Sequence, residues 1–197
     1  MGLKTTVKVG SITNLSDARY CAGMGVDILG FNAVEGKPDY ISPIQFEELR
    51  GWFVGPKVVI EIYGIDRVEA FETLLNNYQP DMIELSCHEL LKLRPHEIPL
   101  ILSIHPDQYL DQKAVLRDFK SSIQFLQLPA TCDKKLLQEI AKQFQVLLEP
   151  VDGVEPDINF IKDNPGIGLA LKGSVEEKAG YKSYDQLSVI LEQLEQD

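Results

Sequence analysis

Five ionisable residues stand inside otherwise apolar runs: Lys8, Glu61, Glu84, Glu149 and Lys172. Gathered at one place, three carboxylates and two ammonium groups could divide acid and base roles, because neighbouring charges drive the pKa values of paired groups apart. They could equally be strand-tip charges, solvated or paired, with a structural role. Their separations cannot be read from sequence, so both readings stay open. The other chemistry-bearing residues are weaker. His88 follows Cys87 at a strand-to-helix junction, His105 ends a strand and His96 lies in a Pro-flanked loop, which is not metal-ligand spacing. No metal and no cofactor are expected. Cys21 shares a helical stripe with Ala18, Ala22 and Gly25 and reads as packing, while Cys132 falls in a loop where it could be exposed, with no obvious base beside it.

The elements that must position these residues alternate along the whole chain. Apolar runs suited to strands are Thr5 to Ile12, Asp27 to Ala33, Lys57 to Tyr63, Asp81 to Ser86, Leu100 to His105, Ile123 to Leu128, Gln145 to Val151 and Ile167 to Lys172. Between and after them, helical spacing places Val68, Phe71, Leu75 and Tyr78 on one face, then Leu137, Ile140, Ala141 and Phe144, then Tyr184, Leu187, Leu191 and Leu194. Further helices are expected at Leu15 to Met24, Pro43 to Phe53, His88 to Leu93 and Leu110 to Lys120, with a short one around Asp157 to Lys162. Trp52, Phe53 and Tyr78 read as barrel packing, although a dimer is compatible with them. Eight strand-then-helix units of about 25 residues match a small (β/α)8 TIM barrel with short loops, an α/β fold in one domain over residues 1–197. Gly23-Met24-Gly25 follows a helix rather than a strand, so it reads as a helix stop and not as a dinucleotide-binding turn. In a barrel of this kind, a site belongs at the C-terminal ends of the strands.

Composition narrows the partners. The chain of 197 residues carries 19 Lys and Arg against 30 Asp and Glu, a net charge of −11, which disfavours nucleic acid and anionic membrane surfaces. Three cysteines make no disulfide framework, and neither a signal peptide nor a membrane span is visible, so a soluble cytoplasmic protein is expected. A small-molecule ligand remains the natural partner, and the oligomeric state is not indicated.

The opening, Val7-Lys8-Val9-Gly10-Ser11-Ile12-Thr13-Asn14-Leu15-Ser16-Asp17-Ala18, with Gly25-Val26-Asp27-Ile28-Leu29-Gly30-Phe31 and Tyr40-Ile41-Ser42-Pro43, resembles phosphoribosylanthranilate isomerase of tryptophan biosynthesis. Fainter similarity runs through Ile83-Glu84-Leu85 and returns at Gly173-Ser174-Val175-Glu176, with Gly180, Lys182 and Asp185 spaced like the family's last turn. The resemblance implies the same barrel and a cofactor-free Amadori rearrangement, an aldose–ketose isomerisation: an acid opens the ribose ring and a base removes the C2 proton.

The resemblance also locates what has changed. The family's base is a Cys at the end of the first strand, in Lys-Ile-Cys-Gly-Ile-Thr, where this chain has Gly10. The adjacent Ser11 points to the opposite face and has too high a pKa to serve without an activating base. The Arg that would receive the anthranilate carboxylate aligns with Asp39, and the family's acid aligns near Gln127 or Leu128. Of the two phosphate-binding turns, the one after the seventh strand becomes Glu149-Pro150-Val151-Asp152-Gly153. A carboxylate about 5 Å from a phosphate costs roughly 3 kcal/mol per unit of phosphate charge at an effective dielectric near 20, and Pro150 offers no N–H. The turn after the eighth, Lys172-Gly173-Ser174, keeps small residues and adds a cation, so Gly173 and Ser174 are the anion-binding candidates.

Three readings follow. In the leading one the barrel is a pseudoenzyme, inactive in the rearrangement and serving as a small-molecule-binding or regulatory protein, with no catalytic residue retained from the family. In the second, a different enzyme is built from Lys8, Glu61, Glu84, Glu149 and Lys172. In the third, an active isomerase has relocated its groups, with Glu61 or Glu84 as base.

Overall fold

The computed structural model describes residues 2–151, 154, 156–173, 176–178, 181–182 and 185–195. Eight strands form a closed parallel barrel in chain order. They are β1 (Val7–Gly10), β2 (Ile28–Asn32), β3 (Lys57–Glu61), β4 (Met82–Ser86), β5 (Leu100–Ser103), β6 (Ile123–Pro129), β7 (Gln145–Glu149) and β8 (Ile167–Lys172), with β8 pairing back onto β1. The helices are α1 (Leu15–Gly23), α2 (Pro43–Arg50), α3 (Val68–Tyr78), α4 (Cys87–Leu93), α5 (Pro106–Asp111), α6 (Lys113–Asp118), α7 (Lys134–Ala141), α8 (Ile158–Asp163) and α9 (Asp185–Leu194). The small (β/α)8 barrel expected from the alternation of runs is therefore present. An antiparallel pair, β9 (Glu176–Lys178) and β10 (Tyr181–Lys182), lies between β8 and α9 and was not expected.

The short connections are made by local chemistry. Asn14 accepts the Asp17 N–H to start α1, and Ser42 and Gln45 form a reciprocal capping box at α2 with Pro43 in its first turn. Ser86 ends β4 and caps α4 at once, with Glu89 returning to its backbone, so strand passes into helix without a loop. Gly25 supplies the left-handed turn (φ 78°) after α1, in keeping with a helix stop.

In-register parallel neighbours point to the same side of a sheet. The pairs Lys8↔Ile28, Gly30↔Val59, Glu61↔Glu84, Ile101↔Phe125 and Gln127↔Leu147 thus define the inward face. Its lower part is an apolar layer of Ile28, Val59, Met82, Ile101, Phe125, Leu147 and Ala170. Burying each large apolar side chain there contributes roughly 1.5–3 kcal/mol. The outward strand faces pack against the helices in a separate, larger core.

Several expectations are corrected. The helix read over Leu110 to Lys120 is two helices that meet at Gln112, because Pro106 starts the first of them ahead of that span. Trp52 lies beyond the end of α2 and is 66% exposed, whereas Phe53 and Tyr78 are buried as packing residues. Val68 is exposed, so the α3 stripe buries Phe71 and Tyr78 only. Cys132 is buried, its backbone N–H held by Pro129 O in a tight turn, and burial raises its thiol pKa. Cys21 is core, its thiol pushed up to about 12 by burial and by Asp17. Tyr184 lies outside the described residues. No helix among the described residues is long and apolar enough to cross a membrane.

Candidate functional site

Above the apolar layer the interior becomes polar, and all five ionisable residues read from the sequence meet there. Lys8 extends from β1 between two carboxylates. Its Nζ lies 3.3 Å from Glu61 Oε1 and pairs more closely still with Glu84 Oε2. Register explains the convergence, since Glu61 and Glu84 are direct partners on β3 and β4. Glu84 Oε1 accepts the Tyr63 hydroxyl at 2.5 Å and the Gln127 amide N–H at 3.2 Å. The same Gln127 Nε2 donates to Glu149 Oε2 at 3.2 Å, and Glu149 Oε1 meets Lys172 Nζ at 3.1 Å. The result is one chain of contacts, Lys8–Glu84–Gln127–Glu149–Lys172, running across the barrel from β1 to β8.

Burial grades along this chain. Lys8, Glu61, Glu84 and Gln127 are buried, Glu149 is partly exposed, and the Lys172 side chain is 72% exposed at the rim. Burial alone would lower the Lys8 pKa, but Glu84 and Glu61 beside it prevail and raise it above the usual lysine value. Burial raises the Glu84 carboxyl, against the pull of Lys8, and Glu61 raises it further. Burial, followed by the Glu84 charge, holds the Tyr63 phenol well above its usual range, so Tyr63 stays a hydrogen-bond donor. The two carboxylates thus favour the charged form of Lys8. Gln127 Oε1 is buried without a hydrogen-bond partner, an acceptor left open inside the mouth.

Two glycines make room for the network. A β-carbon on Gly10 would stand 2.5 Å from Glu61 Oε1 and 3.1 Å from Lys8 Nζ; one on Gly30 would meet the same Glu61 oxygen and stand 2.9 Å from the Gly10 Cα. Real β-carbons do not approach so closely, so the Glu61 carboxylate takes the space that a side chain at position 10 would fill, and at position 30 the Gly10 backbone closes the space as well. Ser11, left-handed at φ 55°, donates its N–H to Glu61 Oε1 at 3.2 Å and holds it there.

The anion candidates fare differently. The Gly173 N–H already donates to Gly10 O at 2.8 Å, and the Lys172 ammonium faces Glu149. Ser174 lies outside the described residues. Sequence reading missed Tyr63 and Gln127 as members of the network. Tyr63 shares the parity of Glu61, and Gln127 is a polar residue in an apolar strand, the same signal that singled out Glu84. Among the described residues no group of three or more His, Cys, Asp or Glu is arranged to hold a metal ion.

Neither a protein-family model nor a curated protein sequence matches the chain. Solved structures do. A phosphoribosyl anthranilate isomerase in complex with reduced 1-(o-carboxyphenylamino)-1-deoxyribulose 5-phosphate superposes with a TM-score of 0.73 at 20% identity, over 96% of this chain and 98% of that one. The isomerases from Thermotoga maritima and Thermus thermophilus give TM-scores of 0.72 and 0.71, each at 19% identity and the same coverage. At such identities what these matches show is the fold: this chain has the small (β/α)8 barrel of the phosphoribosylanthranilate isomerases.

Proposed function

We propose that this barrel does not catalyse the isomerases' rearrangement and serves instead as a binding or regulatory protein that takes a small polar molecule at its mouth. One observation carries the reading: where the resemblance puts the family's base, there is Gly10, and the volume of the missing side chain is filled by a Glu61 carboxylate paired with Lys8. The mouth is richer in acceptors than in free donors. Glu61, Glu84 and Glu149 outnumber Lys8 and Lys172, both ammonium groups are already paired, and the Gly173 N–H is committed to Gly10 O. Such a site favours a ligand bearing hydroxyl or amine donors over a sugar phosphate. The direct test is turnover of phosphoribosylanthranilate by the purified chain. We expect none above background, and kcat/KM of ~10⁴ M⁻¹s⁻¹ or more, the ordinary enzyme range, overturns the proposal.

A second reading is favoured by the same carboxylate. Glu61 Oε1 projects into the space of the lost thiol, where it could take the C2 proton itself. In that case the chain complements a tryptophan auxotroph lacking this step, and Glu61→Gln abolishes the complementation.

A further inference from the structure

A second opening lies at the other end of the barrel. Beneath the apolar layer, on the N-terminal side of the strands, is a cavity of about 450 Å³. That volume falls within the range of roughly 300–1,000 Å³ typical of small-molecule sites. Its lining combines three kinds of surface. Ile28 and Phe125, both members of the inner apolar layer, give it an apolar floor. Val54, on the loop between α2 and β3, forms an apolar lip that is 94% exposed, and Trp52 on the same loop is exposed too. Its polar lining residues are Asp27, Lys57 and Gln124, with Thr6.

The sheet brings Asp27 and Lys57 together through the backbone, and both line the cavity. Lys57 donates its backbone N–H to Asp27 O at 2.8 Å and is the register partner of Ile28. The Asp27 carboxylate is fixed by the Val7 N–H at 2.8 Å and by its own backbone N–H, out of roughly four acceptor positions. No ion pair joins Lys57 to any carboxylate among the described residues. Burial raises the Asp27 pKa, a penalty on its charge that a bound cation would offset.

We propose that this cavity binds a zwitterion with an apolar body, in the class of a free α-amino acid: the ligand's ammonium on Asp27, its carboxylate on Lys57 and its side chain against Ile28, Phe125 and Val54. The arrangement matches both charges of such a ligand and its apolar part at once. A purely anionic ligand would meet Asp27, and a purely cationic one would meet Lys57. The site stands apart from the mouth, separated from it by the apolar layer, and does not rest on the function proposed above.

The test is calorimetric titration of the full chain with L-phenylalanine, N-acetyl-L-phenylalanine and L-phenylalaninamide. Saturable binding of L-phenylalanine with Kd near or below about 1 mM is expected, with each blocked form weaker by roughly tenfold or more because one charge-assisted contact is lost. Lys57→Gln, at an exposed position, should weaken L-phenylalanine by a similar factor and leave the already carboxylate-blocked amide unchanged. Amide chemical shifts should move at Asp27, Ile28 and Gln124, not at Lys172. Absence of saturation by about 10 mM, equal binding of the blocked forms, indifference to Lys57→Gln, or shifts confined to the mouth would each overturn the proposal.

Discussion

Oε1 of Glu61 lies 2.5 Å from the point where a β-carbon on Gly10 would have to stand. The two residues are on β3 and β1, and one oxygen binds them through the Ser11 N–H and the Lys8 ammonium. Any side chain at position 10 must therefore displace a buried, ion-paired carboxylate.

Gly10→Cys, which puts a thiol where the resemblance implies the family's base, should fail to create isomerase activity and should lower stability by about 1–3 kcal/mol, the usual cost of overpacking a core. Adding Glu61→Ala to it should relieve the clash. The double variant then departs from the sum of the single ones by roughly 0.5–3 kcal/mol, measured by urea unfolding. Strict additivity would mean that the two positions do not compete for space.

Lys8→Met should destabilise the barrel by about 3–5 kcal/mol, because it leaves Glu61 and Glu84 buried without their cation. Glu84→Gln introduced into that background should recover part of the loss. Denaturation midpoints of the two variants at neutral pH provide the comparison.

Stability should decline on the alkaline side. Lys8 and Tyr63 both have folded pKa values raised above their ordinary 10.5 and 10.0, so each contributes fully below those values and loses its contribution as pH rises through the folded ones. Tyr63→Phe should remove part of this decline. Glu89 has the opposite sign. Burial opposes its charge, but hydrogen bonds from the Ser86 hydroxyl and from the Ser86 and Gly64 N–H groups lower its pKa below 4.5. Its contribution is present above that value and lost as pH falls through the folded one, so Glu89→Gln should flatten the acid limb of a pH–stability curve.

Inorganic phosphate should bind the mouth weakly or not at all, since Lys172 is engaged by Glu149 and the Gly173 N–H by Gly10 O. Glu149→Gln removes the competing carboxylate. It should raise phosphate affinity by roughly tenfold, the equivalent of about 1.4 kcal/mol, in a calorimetric titration.

The eight strands were legible because each is an apolar run bounded by turn residues, and their alternation with helical spacing leaves little topological choice. The five charges were legible for a related reason: an ionisable residue in a barrel strand stands out against its neighbours. Their joining into one network was not legible, because it depends on register, which sets Glu61 beside Glu84 and sends Gln127 between Glu84 and Glu149. The role of Gly10 was half visible. Sequence reading put Gly10 where the resemblance implies a thiol, and only the distance to Glu61 shows that the space beside it is taken. Trp52 and Cys132 were misplaced because residues just beyond a helix or in a turn are buried or exposed by how the loop folds back, which spacing does not encode.

The mutual exclusion of the Glu61 carboxylate and a side chain at position 10 also limits which substitutions the barrel accepts. A side chain added at position 10 while Glu61 keeps its pairing overpacks the interior, so bulk there requires a matching change at Glu61 on β3. Single-step substitution is thereby closed at position 10, and β1 and β3 can change there only in concert.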